Sequence, residues 1–163
     1  MNRTAACVPY LERDGTGLLR RGEDEFVVAG LKIEYVRGTG TTPTRKVAEL
    51  RLFRSGEWCT KRSLICHYDG GQVGELVSSW QNSIVVPVGD QLLSWVDQRR
   101  GLLLSKVFDE SPGLRYVPLP VDSRMLRPSF RNVCATAGGG TVKFVNIFPR
   151  CCCGSAGLTV LLY

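Results

Sequence analysis

The chain has 163 residues, of which 44% are hydrophobic and 22% charged, and its 21 Lys and Arg against 15 Asp and Glu give a net charge of +6. This length corresponds to one domain, and the apolar fraction is sufficient for a packed core, which excludes wholesale disorder. No run of about 18 apolar residues occurs, and the first twenty residues lack an apolar stretch of signal-peptide length. We therefore predict no membrane span and no secretion, and we expect a cytoplasmic or nuclear protein.

The beginning of the chain differs in composition from the segment that follows it. Residues 1–22 hold few apolar side chains and are interpreted as a flexible lead-in or a partial strand. Residues 23–148 are predicted to form a β domain. Within it, Leu31 and Ile33 alternate with charged residues, which is the period-two pattern of a half-buried strand. Gly30 is expected to mark a bulge in this strand.

Turn-forming residues divide the next part of the chain. Residues 38–44 are rich in Gly, Thr and Pro and are predicted to form an exposed loop. Two β-rich runs flank Ser55-Gly56, which predicts a hairpin in which Trp58 anchors the strand pair. Residues 66–77 contain several glycines and are expected to be irregular.

Three apolar runs between residues 83 and 120 predict an antiparallel meander. Residues 91–96 and 102–107 are connected by a short loop in which Gly101 is expected to supply a positive φ. The third strand lies in residues 114–120, and Pro118 confines it to a sheet edge or a strand end, because proline cannot donate to a ladder.

A last hairpin is predicted from residues 130–135 and 141–148. With Leu50, Leu93 and Phe144 as strand centres, the spacing is roughly 40 to 50 residues, which is close to the length of a propeller blade. We predict an all-β or mostly β fold that is built as an antiparallel meander. The meander is either propeller-like or a sandwich, and the propeller-like alternative includes an incomplete propeller. The expected structural anchors are large apolar residues of these strands: Leu50, Leu52, Trp58, Leu93, Trp95, Leu102, Leu104, Tyr116, Val117 and Phe144.

Cysteine and histidine give no recognisable site. The seven cysteines fit no disulfide framework, so free thiols are expected. His67 follows Cys66 directly, and neighbours on an extended chain point to opposite sides, which excludes a Cys–His catalytic pair. With Cys59 these residues make three possible zinc ligands, whereas a structural site needs four. The Cys-rich tail, residues 149–163, contains Cys151, Cys152 and Cys153, for which soft-metal binding, lipidation and an incidental cluster all stay open.

Other chemistry-bearing patterns are also incomplete. Glycines cluster at residues 15–17, 38–40 and 138–140, but none of these segments completes a phosphate-binding motif. Asp109 and Glu110 are consecutive and have no marked partner for acid–base catalysis. We therefore predict no catalytic, cofactor-binding or metal-binding residue, no cofactor, and a protein that is not an enzyme.

The tryptophans and the basic residues are the candidate binding elements of the sequence. Trp58, Trp80 and Trp95 could form a stacking platform for a base, a sugar or a Pro-rich peptide, but core packing is favoured for Trp58 and Trp95, and less strongly for Trp80. Basic residues occur at most in pairs such as Arg99-Arg100, so nucleic-acid binding is not expected.

One string of the sequence supports a family resemblance. WVDQRRGLLLSKVFDESPGLRYVPLP, which begins at Trp95, resembles the signature of the plant family called domain of unknown function 1618. LLRRGEDEFVVAGLKIE, AELRLFRSGEW and RNVCATAGGGTVKFVNI are similar to other segments of that family, so the resemblance covers about Leu18 to Phe148. It implies a distant relationship to the propeller-type domains attached to plant F-box proteins, and no particular reaction. Members are generally longer, so the tail at residues 149–163 is expected to be atypical or truncated.

These observations predict a non-enzymatic protein-interaction module of plants with an unknown protein partner. Two alternatives belong to other classes. One is an enzyme or small-ligand-binding domain whose site is assembled from scattered residues, and the other is a weak nucleic-acid binder that uses the net positive charge.

Overall fold

The computed structural model describes residues 10–36, 45–67, 79–119, 131–136, 140–147 and 158–162. These residues form twelve strands and one short 3₁₀ helix, and no α-helix occurs among them, which confirms the mostly β fold. The elements are η1 (Arg13–Gly15), β1 (Thr16–Arg21), β2 (Glu25–Val36), β3 (Arg45–Arg54), β4 (Glu57–Ser63), β5 (Ile65–His67), β6 (Ile84–Val88), β7 (Leu92–Asp97), β8 (Gly101–Ser105), β9 (Leu114–Pro118), β10 (Arg131–Ala135), β11 (Val142–Ile147) and β12 (Leu158–Leu162).

The first sheet, sheet A, is an antiparallel meander in the order β1-β2-β3-β4. Residues 10–22, at the start of the described chain, form η1 and β1, and β1 pairs with β2 over its whole length. The predicted hairpin at Ser55-Gly56 is confirmed. Both residues have positive φ, 52° and 82°, as a two-residue turn of the primed type requires.

Gly30 does not mark a bulge, so that prediction was wrong. The pairing runs through it without interruption, with Thr16 opposite it on one side and Arg51 on the other. A Cβ at this position would lie 2.8 Å from Cδ2 of Leu11. Glycine therefore leaves room for the end of a leucine side chain that packs onto the strand, and the strand register does not change here.

The second sheet, sheet B, has the order β5-β9-β8-β7-β6. Strands β6 to β9 form the predicted antiparallel meander, and β5 joins β9 in parallel. Pro118 is the last residue of β9, which confirms its place at a strand end. Cys66 and His67 lie in β5 rather than in irregular structure, because they pair with Arg115 and Tyr116. The rest of the segment predicted to be irregular, and the loop predicted at residues 38–44, lie outside the described residues.

Gly101 belongs to β8, where it pairs with Asp97 and Pro118, and its φ is not among the positive values. The predicted role in a turn was therefore wrong. A Cβ here would lie 2.4 Å from the carbonyl oxygen of Val117 and 2.6 Å from Cε2 of Tyr116. The residue is small because the neighbouring strand and a tyrosine ring pack directly on it.

The third sheet, sheet C, has the order β10-β11-β12 and is antiparallel. Its first two strands confirm the predicted last hairpin. The third, β12, comes from the tail at residues 149–163 and pairs with β11 through residues 158–162.

The three sheets are stacked face to face, with sheet B in the middle. One apolar core lies between sheets A and B and a second lies between sheets B and C. Leu50, Leu93 and Phe144, the predicted strand centres, lie one in each sheet and are buried. Of the other predicted anchors, Leu52, Trp95, Leu102 and Tyr116 are also buried, whereas Trp58, Leu104 and Val117 are half-buried.

Trp95 connects the first two sheets. Its side chain is completely buried in the core between them, and its indole Nε1–H donates to the carbonyl oxygen of Gly15 at 2.8 Å. The prediction of a core role for this tryptophan is confirmed.

Candidate interaction surfaces

The described residues carry few reactive groups. No cluster of three or more His, Cys, Asp or Glu that could hold a metal ion occurs in the described part of the chain. Cys59, Cys66 and Cys134 are free thiols. The side chain of His67 and the Cys151–Cys153 triplet lie outside the described residues. None of the described segments is a helix long and apolar enough to cross a membrane.

The outer face of sheet A, which points away from sheet B, carries a row of apolar side chains. We call Leu18, Phe26, Val28, Phe53 and Trp58 the aromatic face. Cross-strand pairing places Leu18 beside Val28, Val28 beside Phe53, and Phe53 beside Trp58. The ring of Phe53 lies 5.2 Å from that of Trp58 and 6.3 Å from that of Phe26. Leu18 is 58% exposed and Phe26 is 48% exposed.

Trp58 was predicted to pack in the core, and the structure places it on the aromatic face instead. The alternation along β4 sends Cys59 towards the core and Trp58 to the opposite side. The signal was present in the sequence, because Trp58 pairs with Phe53, which alternates with the buried Leu52.

The other half of the outer face is covered by the chain itself. Arg51 donates from Nη1 to the carbonyl oxygen of Tyr10 at 2.6 Å and from Nε to Oε1 of Glu49 at 2.9 Å. Leu11 packs onto Gly30 beside it. Residues 10–12 therefore cross this half of the sheet, while the aromatic face stays open.

Trp80 lines a second surface, an open groove of about 670 Å³. Its Nε1–H donates to Oδ1 of Asn82 at 2.8 Å, and Nδ2 of Asn82 donates to the carbonyl oxygen of Leu31 at 3.1 Å. The indole meets the ring of Tyr116 edge-on, with centroids 6.3 Å apart. Trp80 therefore packs against the core between sheets A and B and also lines the groove. This position is consistent with the weaker prediction of a core role for it.

Charged groups around this groove are exposed or compensated. Glu12 and Asp14 are exposed, and Lys32 lies 2.8 Å from Glu34. The hydrogen bond and charge of Glu34 raise the pKa of Lys32, and Lys32 lowers the pKa of Glu34 for the same reasons. Lys32 and Glu34 therefore form an ion pair beside the groove.

Asp97 is the buried carboxylate next to the groove. Its Oδ2 accepts a hydrogen bond from the backbone N–H of Gln81 at 3.1 Å, and its Oδ1 accepts one from the N–H of Arg99 at 2.9 Å. Nε of Arg100 lies 3.9 Å from the same carboxylate. With these donors, Asp97 stabilises the turn after β7.

The string that resembles the family signature begins at Trp95, the buried residue that connects sheets A and B. Residues 95–160 match the family described as protein of unknown function (DUF1618). The resemblance is thus confirmed for this DUF1618 segment, which is part of the chain. The segment runs from β7 into β12, and sheet A with its aromatic face lies before it. No curated protein and no solved structure matches the chain.

Proposed function

We propose that this protein is a non-enzymatic protein-interaction module of plants that acts in the cytoplasm or nucleus and docks a partner protein on its aromatic face. The observation that carries the proposal is the exposure of Leu18 and Phe26 beside Phe53 and Trp58 on a sheet whose other face is core. Contiguous exposed apolar patches on soluble domains mark interaction sites.

The energetics favour a protein partner for this surface. Burial of a leucine or phenylalanine side chain stabilises a complex by about 1.5–3 kcal/mol relative to exposure. Aromatic residues supply a disproportionate share of binding energy in protein interfaces, and tryptophan is the most enriched of them. Phe26 and Trp58 flank Phe53, so one partner side chain can contact more than one ring.

The stacking of the sheets supports a propeller-like architecture and indicates what kind of partner surface fits. β1, β6 and β10 are the first strands of the three antiparallel meanders, and β6 of the middle sheet contacts both of the others. In a propeller, each sheet is covered by a neighbouring sheet on both of its faces. We therefore propose that the aromatic face receives an apolar β-sheet surface of the partner protein.

Site-specific photo-crosslinking tests this proposal. Phe26 is replaced by the photoreactive amino acid p-benzoylphenylalanine, and the folded protein is irradiated in plant extract. We expect a discrete light-dependent protein adduct, because the group at position 26 lies within the docking surface. The control carries the same group at Arg99, which is exposed and lies in the turn between β7 and β8.

The second arm combines the photoreactive group at position 26 with Leu18→Ser, which changes the aromatic face without a change in the core. We expect this variant to lose most of the adduct. Equal adducts at positions 26 and 99, or no adduct at position 26 from a cooperatively folded bait, would overturn the proposal.

A further inference from the structure

A groove of about 750 Å³ lies at the edge of sheet B, away from the aromatic face and from Trp80. We call it the basic groove. Leu92 and Leu104 are half-buried and form apolar lining, and Leu64, between β4 and β5, is 66% exposed. An exposed leucine beside two half-buried leucines makes the lining suitable for apolar side chains of a ligand.

The charged lining of the groove is predominantly positive. Among the described lining residues, Arg62, Lys106 and Arg115 are positive and only Asp109 carries a carboxylate. Register places Arg115 directly beside Leu104, so a cation and an apolar side chain share one cross-strand row. The groove therefore combines apolar and cationic contacts at adjacent positions.

Two of these cations have no counter-charge among the described residues. Arg62 lies 3.8 Å from Glu49, but no described residue forms an ion pair or hydrogen bond with the side chain of Lys106 or Arg115. By contrast, Arg21 pairs with Glu25, and Lys32 pairs with Glu34. Exposed positive charge that no protein carboxylate neutralises, beside an apolar lining, is complementary to a ligand that carries carboxylates and aliphatic side chains.

We propose that the basic groove binds an acidic peptide segment whose carboxylates contact Lys106 and Arg115 and whose leucine-type side chains contact Leu64, Leu92 and Leu104. A nucleic acid fits this lining less well, because none of the described residues that line the groove has an aromatic side chain to stack on a base. Three cations are also a small number for a phosphate-binding surface. The basic groove shares no lining residue with the aromatic face, so a substitution can abolish binding at one surface without changing the other.

The test measures the fluorescence anisotropy of a labelled peptide that repeats Glu, Leu and Asp. The probe is titrated with the full chain and with a double variant, Lys106→Glu with Arg115→Glu. We expect the double charge reversal to weaken peptide binding by about tenfold or more. Both side chains are exposed, so the variant should retain the thermal unfolding transition of the parent.

The matched control carries Arg20→Glu with Arg99→Glu, which gives the same net charge on two exposed residues outside the groove. Its affinity for the peptide should stay within about twofold of the parent, because the groove is intact. A second probe, labelled single-stranded oligonucleotide, measures binding to phosphate. Failure of the parent to bind the peptide, equal losses in both double variants, or tighter binding of the oligonucleotide would each overturn the proposal.

Discussion

Replacement of Trp95 by alanine tests how much the packing of this side chain between sheets A and B contributes to the free energy of unfolding. The ring is completely buried, and truncation of such a side chain costs about 3–5 kcal/mol. Loss of the indole donor also leaves the carbonyl oxygen of Gly15 without its partner, at a further cost of about 1 kcal/mol. We expect Trp95→Ala to lower the free energy of unfolding by about 4–6 kcal/mol, a large part of the about 5–15 kcal/mol typical of a domain.

Urea unfolding followed by far-ultraviolet circular dichroism measures this loss without dependence on tryptophan fluorescence. Trp95→Phe keeps most of the apolar volume but removes the donor to Gly15, so it should cost about 1–2 kcal/mol. Trp58→Ala is the matched control, because Trp58 is half-buried on the aromatic face, and it should cost less than about 2 kcal/mol. A loss for Trp95→Ala that does not exceed the loss for Trp58→Ala would refute the reasoning.

Three further predictions concern residues of sheet B. Gly101→Ala should destabilise the protein by about 1–3 kcal/mol in urea unfolding, because the added Cβ meets backbone. Gly113→Ala adds a Cβ with no atom within 4 Å, so it should change the free energy of unfolding by less than about 0.5 kcal/mol. Equal destabilisation by the two substitutions would contradict the packing argument. Asp97→Ala should cost about 1–3 kcal/mol by the same measurement, because two backbone N–H groups lose their acceptor, and a neutral effect would count against it. Burial, followed by the charge of Asp97, raises the pKa of Tyr116 above the ordinary value of 10.0, so its contribution to stability is full below that pH and is lost as the pH rises through the folded-state value. The Tm of Tyr116→Phe should therefore fall less than the Tm of the parent between about pH 9 and about pH 11. An equal fall in the two proteins would refute the assignment of this pH dependence to Tyr116.

The strands of this fold were predictable where the chain pairs with its immediate neighbours. Alternation predicted β2, and the Ser55-Gly56 pair predicted the β3–β4 hairpin, because both signals depend only on local sequence. The roles of Gly30 and Gly101 were not predictable in this way. Gly101 is approached by the backbone of a neighbouring strand and Gly30 by the end of a leucine side chain, and both approaches are visible only after the chain is folded.

The candidate surfaces were harder to predict than the strands. Trp58 was recognised as a large apolar residue, but its side of the sheet follows only when the register with Phe53 is combined with the alternation of Phe53 and Leu52. The cations of the basic groove come from β4, from the segment after β8 and from β9, so the absence of basic clusters along the sequence gave no sign of them. A charge cluster formed by folding has no counterpart in a linear pattern.

The parallel pairing of β5 with β9 has a consequence for synthesis on the ribosome. Every other described strand pair joins strands that follow each other in sequence, so each can form as soon as its second strand emerges. β5 must instead wait until residues 114–116 have been added, which takes about 2–10 s at usual elongation rates. During that interval sheet A is complete in sequence while its core-facing leucines lack sheet B. Nascent chains paused at this stage should therefore be the form most susceptible to aggregation and most dependent on chaperones.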